Sequence, residues 1–195
     1  MSEGGAEGGR PWAGIGHNQG PSMDAGRQFR IHAWTRAQAS HREARIPVAI
    51  HRMRIARAKE LGLSYADYCR IRATSGRDVA GFLISSNALG VHSNAAPVAP
   101  RISEKLLSLR HVLRIGLAQP PLDPRLLLER VAGLDLAFPA PPLLGSFPEI
   151  RAALARAQGR LPAAGLVAIT ALGLEQEWLA AGGLGGALPA EALFA

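Results

Sequence analysis

Cysteine and aromatic residues are both scarce in this chain of 195 residues. Cys69 is the single cysteine, which excludes internal disulfides and cysteine-cluster metal sites and is typical of a reducing compartment. Aromatic residues make up 5% of the chain, so aliphatic side chains must supply most of the core. Every apolar run is interrupted before it reaches the ~20 residues of a membrane span, and no apolar segment of a secretory signal is present. These absences predict a cytoplasmic protein with no membrane partner.

Lysine is also scarce, and the basic residues that replace it are unevenly distributed. Of the 22 basic residues 20 are arginine, a preference that a GC-rich genome explains by itself. Residues 1–115 carry 17 basic against 8 acidic residues, whereas residues 116–195 carry 5 against 7. Genome composition does not explain why the basic residues are concentrated in the first half of the chain. A basic first half beside a nearly neutral second half is typical of a protein whose first half faces a polyanion.

Changes in composition divide the chain into four segments. Residues 1–26 are rich in glycine and poor in apolar residues, so we expect a disordered arm. A basic helical module follows at 27–92, and a linker at 93–101 separates it from a Leu/Ala-rich, mainly helical subdomain at 102–195. The predicted fold class is therefore mainly α.

Local signals place several helix ends but do not decide whether three apolar runs are helices or strands. Helix boundaries are indicated by Pro47, Gly62, Ser64, Gly76 and the capping box "SFPE" at 146–149. A further helix is expected to run from Ser103 to the prolines at 120–121. The apolar runs near 79–84, 134–138 and 165–170 are equally compatible with buried strands, and in that alternative the fold is α/β.

Residues 54–73, "RIARAKELGLSYADYCRIRA", have the spacing of two helices joined at a glycine. Ala58 is the small residue at which the helices cross, Gly62 makes the turn, and Tyr68 and Ile71 are the expected buried positions. This segment resembles the helix-turn-helix of bacterial repressors, although such turns also occur in proteins that never touch DNA. The resemblance places Cys69 on the outer face and implies contacts to DNA from Arg52, Arg54, Ser64, Tyr65, Arg70, Arg72 and Arg77.

One residue of this segment departs from the helix-turn-helix pattern. Arg57 occupies a position at which the first helix normally turns an apolar side chain inward. The local charge nevertheless supports the DNA-binding interpretation, because residues 27–77 carry 12 basic against 3 acidic residues.

The string "GIGHNQGP" at 14–21 is the most distinctive in the chain. Its glycines miss the spacing of both common phosphate-binding loops, and its histidine has no neighbouring metal ligand. It is similar to a G-I-G-H-N-x-G-P string near the N-termini of varied alphaproteobacterial proteins, and the segments "RAKELGLSYADY" and "TSGRDVAGFLISSNAL" resemble a family of uncharacterised alphaproteobacterial proteins. A short string that recurs ahead of otherwise unrelated domains is typical of a docking peptide. In this chain the docking residues would be Gly14, Ile15, Gly16, His17, Asn18, Gly20 and Pro21.

Three functional hypotheses follow from these patterns. The leading one is a DNA-associated regulatory protein, in which the weakly charged residues 116–195 serve partner contact or association of identical chains. The second is an adaptor that docks through "GIGHNQGP". The third is a small α/β enzyme that uses Ser85, Ser86 or Asn87, which would lie at the carboxyl end of a strand at 79–84. No motif in the sequence indicates a cofactor or a metal site.

Overall fold

Short apolar segments alternate with helices in residues 46–194, the part of the chain that the computed structural model describes. Five of these segments form strands: β1 Gly81–Ser85, β2 Leu113–Ala118, β3 Leu136–Pro139, β4 Leu166–Thr170 and β5 Gly186–Pro189. The α-helices are α1 Val48–Glu60, α2 Tyr65–Ser75, α3 Pro100–Ser108, α4 Pro124–Arg130, α5 Phe147–Gln158, α6 Glu177–Gly182 and α7 Ala190–Phe194. Two short 3₁₀ helices, Ala163–Gly165 and Gly173–Gln176, flank β4.

All five strands run parallel in one sheet with the order β3-β2-β1-β4-β5. From the central strand β1 the chain moves outward through β2 and β3, and then returns to the other side of β1 to form β4 and β5. The place where the direction reverses is a switch point, between β1 and β4. This is the order of a doubly wound α/β fold, which binds its ligands at that point, outside the carboxyl ends of the strands.

Helices cover both faces of the sheet, and alternate residues of the strands divide the core between them. Phe82 and Ile84 of β1 pack in one cluster, which includes side chains of α1, α2 and α3. Leu83 packs in the other cluster with Leu154 of α5 and Trp178 of α6. This two-faced burial is characteristic of the inner strands of parallel sheets, which helices cover on both faces.

The predicted fold class, mainly α, is wrong, because the described residues form an α/β fold with a parallel sheet. The α/β alternative expected strands near 79–84, 134–138 and 165–170, and these ranges overlap β1, β3 and β4. Strands β2 and β5 were not expected. The helix predicted from Ser103 to the proline pair stops at Ser108, and the buried run that follows forms β2.

The predicted boundaries of the first two helices are confirmed. Pro47 precedes α1, and Gly62, with φ of 63°, makes the turn after it. The Ser64 hydroxyl accepts a hydrogen bond from the Asp67 amide at 3.0 Å and caps α2, which ends at Gly76 with φ of 68°. The capping box of α5 is also present, since the Ser146 amide donates to Glu149 Oε2 at 2.8 Å. In residues 46–194 no helix combines the length and the apolar character needed to cross a membrane.

Candidate polyanion interface and carboxyl edge of the sheet

Helices α1 and α2 form the most basic surface of the described chain. Residues 46–77 carry seven basic against two acidic residues, a net charge of +5, whereas residues 78–194 carry nine of each. Ala58, Tyr68 and Ile71 are buried between the helices and the rest of the fold, as the sequence predicts. Cys69 is buried as well, at 8% exposure, and not on the outer face where the helix-turn-helix pattern places it.

Arg57, the residue that departs from the helix-turn-helix pattern, turns inward and uses all five of its N–H donors. Its Nε donates to Asp78 Oδ2 at 2.9 Å, and its Nη1 donates to Glu60 Oε2 at 3.0 Å. The remaining donors bind backbone carbonyls: Nη1 binds Arg110 O at 3.3 Å, and Nη2 binds Val79 O and His111 O, both at 3.0 Å. Arg57 therefore ties α1 to the segments that precede β1 and β2.

Asp78 links this arginine to the second helix. The Tyr68 hydroxyl donates to Asp78 Oδ1 at 2.9 Å, and Arg72 Nη1 donates to the same hydroxyl at 3.4 Å. Partial burial raises the pKa of Asp78, but the hydrogen bonds from Tyr68 and Arg57 and the charge of Arg57 outweigh it, so that the pKa lies below its ordinary value. The carboxylate is thus held ionised at neutral pH.

A cavity of about 370 Å³ opens beside this network. Three guanidinium groups line it, those of Arg54, Arg57 and Arg72, together with the carboxylates of Glu60 and Asp78. The Nε of Arg54 is buried and has no hydrogen-bond partner among the described residues. Since an unpaired buried donor is costly, Arg54 is the least satisfied of the three arginines that line the cavity. We call this cavity with its three arginines the arginine pocket.

The other residues predicted to contact DNA are spread over the same two helices and the turn after them. Arg52 and Arg77 are exposed. Arg70, whose side chain is 67% exposed, pairs with Asp67 at 2.6 Å. Ser64 is used as the helix cap, and the Tyr65 hydroxyl lies 2.7 Å from His51 Nδ1. The structure therefore brings Arg54 and Arg72 together in one pocket, whereas Ser64 and Tyr65 are engaged within the protein.

The carboxyl edge of the sheet carries a second polar cluster, centred on Glu175. This carboxylate is fully buried. One of its oxygens, Oε1, accepts hydrogen bonds from the Ser85 hydroxyl and from Asn87 Nδ2, the latter at 2.9 Å. The other, Oε2, accepts from the backbone amides of Ala171 at 2.8 Å and Leu172 at 3.1 Å. Glu175 thus joins the ends of β1 and β4 across the switch point.

Ser85, Ser86 and Asn87 lie where the α/β alternative places them, at the carboxyl end of β1. Ser85 and Ser86 are fully buried, and the Ser86 hydroxyl accepts a hydrogen bond from the Gln119 amide at 3.1 Å. Asn87 is half-buried, and its Oδ1 lies 3.3 Å from His92 Nδ1. Neither serine hydroxyl is therefore open to a substrate, and the edge has the features of a binding surface more than of a reaction centre.

Glu175 is the residue of this cluster that sequence reasoning missed. The available signal was a pair of acidic residues, Glu175 and Glu177, soon after the apolar run "LVAIT" in a segment, 161–190, with no other charge. Its significance depends on the neighbouring position of β1 and β4, which no local pattern shows. The docking peptide, Gly14 to Pro21, lies outside the described residues.

Comparison of the chain with protein-family models, with curated proteins and with solved structures finds no match in any of the three.

Proposed function

We propose that the protein binds duplex DNA through α1 and α2, with the arginine pocket gripping a backbone phosphate. The observation that carries the proposal is the convergence of Arg54, Arg57 and Arg72 on one cavity, and among them Arg54 makes no hydrogen bond or ion pair with the described residues. Guanidinium groups match the geometry of phosphate oxygens and bind them with strong, charge-assisted hydrogen bonds.

The roles of the three arginines differ. Arg57 already binds five acceptors, so it is a structural residue that holds the pocket in shape. Arg54 makes no hydrogen bond or ion pair with the described residues, and Arg72 has only the long contact to Tyr68. Arg54 and Arg72 are therefore the groups that would bind phosphate.

The surroundings of the pocket favour a polyanion over a single small anion. Arg52, Lys59, Arg70 and Arg77 add further exposed charge on the same two helices and directly after them. A polyanion that neutralises several of these charges releases condensed counterions, which makes its binding strong at low salt and weak at high salt. Ser64 and Tyr65 already have hydrogen-bond partners within the protein, so we assign recognition mainly to phosphate contacts, with Arg70 the residue best placed to reach a base edge.

The test is the salt dependence of binding to a labelled duplex, measured by fluorescence anisotropy with the full chain. Replacing both Arg54 and Arg72 by glutamine should weaken binding and reduce the slope of log K against log salt by about 0.9, since the two arginines neutralise one phosphate and each neutralised phosphate contributes about 0.9. Arg70→Ala should weaken binding by a smaller amount and alter the preference between unrelated duplexes.

A matched control removes the same charge elsewhere. Arg125 and Arg160 are exposed and lie on or near α4 and α5. The Arg125→Gln, Arg160→Gln variant has the same net charge as the pocket variant, so it should keep most of the salt slope. Equal losses in both variants would show that net charge alone drives binding, and no binding by the unaltered chain at low salt would rule out the proposal.

The enzyme and adaptor hypotheses stay secondary. The buried hydroxyl groups of Ser85 and Ser86 offer no accessible nucleophile, and the docking peptide is outside the described residues. Deleting residues 1–26 tests the adaptor hypothesis, because that hypothesis requires the deletion to abolish capture of a partner while the fold is retained.

A further inference from the structure

A second cavity, of about 380 Å³, lies at the carboxyl edge of the sheet. It is bordered by Asn87 after β1 and Ala171 after β4, the two strands that flank the switch point. Open α/β sheets place their ligands in this crevice. The volume is at the small end of the range for ligand pockets, which runs from roughly 300 to 1,000 Å³. It suits a molecule of amino-acid size better than a nucleotide.

The lining combines an apolar floor with two opposite charges. Leu89, Ile102 and Phe194 are buried and supply the floor. Arg101, on α3, and Glu191, on α7, are exposed at the rim. Neither makes an ion pair or a side-chain hydrogen bond with the described residues, including with each other. Both charges are therefore available to a ligand.

Asn87 adds an amide that is already fixed in place. Its Nδ2 is held by the buried Glu175, which Ser85 and two backbone amides hold in turn. A polar group positioned before the ligand arrives loses little conformational freedom on binding. The Glu175 cluster thus acts as the support behind one wall of the cavity.

From this lining we infer that the cavity binds a free α-amino acid with an apolar side chain. Its carboxylate pairs with Arg101, its ammonium group pairs with Glu191, and its side chain lies on the floor formed by Leu89, Ile102 and Phe194. A ligand with only one charge would leave either Arg101 or Glu191 without a partner. None of these residues belongs to the arginine pocket, so amino-acid binding here is independent of DNA binding there.

The experiment is isothermal titration of the full chain with L-phenylalanine and with two single-charge analogues, 3-phenylpropionate and 2-phenylethylamine. Phenylalanine should bind roughly two- to fivefold more tightly than either analogue, since an ion pair with an exposed side chain contributes a factor of at most about 5. Arg101→Gln should lower the affinity for phenylalanine and for 3-phenylpropionate but leave that for 2-phenylethylamine unchanged. Glu191→Gln should lower the affinity for phenylalanine and for 2-phenylethylamine but leave that for 3-phenylpropionate unchanged.

Arg125→Gln is the control for a general effect of charge, and should leave all three affinities unchanged. Arg101 and Glu191 are exposed, so their replacement should not alter thermal unfolding, which is measured alongside. Absence of saturable heat with phenylalanine at millimolar concentration overturns the inference. Equal binding of phenylalanine and its single-charge analogues also overturns it, because the paired charges would then have no role.

Discussion

Replacing Arg57 by methionine should destabilise the folded protein by about 2–3 kcal/mol. Methionine keeps the apolar stem of the side chain in place and removes the guanidinium group. Five hydrogen bonds are lost, two to carboxylates and three to backbone carbonyls. The loss is concentrated in one side chain that is 18% exposed.

The magnitude comes from treating the two kinds of acceptor separately. The side chains of Glu60 and Asp78 are 39% and 44% exposed, so water replaces much of the lost pairing and each contributes no more than about 0.5 kcal/mol. The three carbonyls are bound at 3.0–3.3 Å, and the loss of each such bond costs about 0.5–1 kcal/mol. Together these values span about 1.5–4 kcal/mol, and 2–3 kcal/mol is the middle of that range.

The assay is urea and thermal denaturation followed by circular dichroism at neutral pH. For a chain of this size, 1 kcal/mol corresponds to roughly 2–4 °C in Tm, so Arg57→Met should melt roughly 4–12 °C below the unaltered protein. Arg57→Lys should recover little, because an ammonium group cannot reach five acceptors in a fork. Arg70→Met is the control, and its exposed pair with Asp67 should contribute less than about 0.5 kcal/mol.

Equal losses of stability in Arg57→Met and Arg70→Met would contradict this role of Arg57. The inward position of Arg57 would then be a consequence of the fold and would contribute nothing to it. A large loss in Arg57→Met with full recovery in Arg57→Lys would also contradict it, since a single charge would then suffice.

Three further predictions concern stability. The hydrogen bonds from Arg114 hold the pKa of Asp135 below its ordinary value, in spite of burial. The stability that this carboxylate contributes is present above the pKa of the unfolded chain and is lost as the pH falls through the lower pKa of the folded protein. The urea concentration at the unfolding midpoint should therefore decrease as the pH is lowered from about 5 to about 3, and it should decrease less steeply in Asp135→Asn. Glu175→Gln replaces an acceptor by an amide that cannot serve all four donors, and should lower the free energy of unfolding by roughly 1–3 kcal/mol; an unchanged urea midpoint would contradict the central place of this carboxylate. Gly62→Ala should cost more than Gly76→Ala in the same assay, because both have positive φ but only at Gly62 would a new Cβ lie within 3 Å of other side chains, at 2.8 and 2.9 Å; equal losses would show that backbone strain alone decides.

The helix boundaries were predictable because their signals are local. Pro47, Gly62, Ser64 and Gly76 act through their own dihedral angles or hydrogen bonds, and a sequence shows such residues directly. The same holds for the capping box of α5. Arginine residues on α1 and α2 were predictable for the same reason, but the difference between the engaged Arg57 and the free Arg54 was not, since it depends on carbonyls at 79, 110 and 111.

The sheet was harder to predict because its strands are short and the inner ones are buried on both faces. β1 and β4 are buried throughout, so they lack the alternation of apolar and polar residues that marks a half-exposed strand. β2 follows α3 without a proline or glycine between them, and its sequence reads as a continuation of that helix. The order of strands, and with it the meeting of Ser85 with Glu175, is not encoded in any short segment.

The central position of β1 has a consequence for synthesis on the ribosome. Gly81 of β1 pairs with Leu113 of β2 on one side and with Leu166 of β4 on the other. At roughly 5–20 residues per second, the ribosome needs about 4–17 s after β1 to make the β4 partner, 85 positions later. During that interval β1, which is buried throughout in the folded protein, has one unpaired edge, and the chain depends on late-made residues to complete its sheet. A truncated chain that stops before β4 should therefore aggregate, although it contains both basic helices.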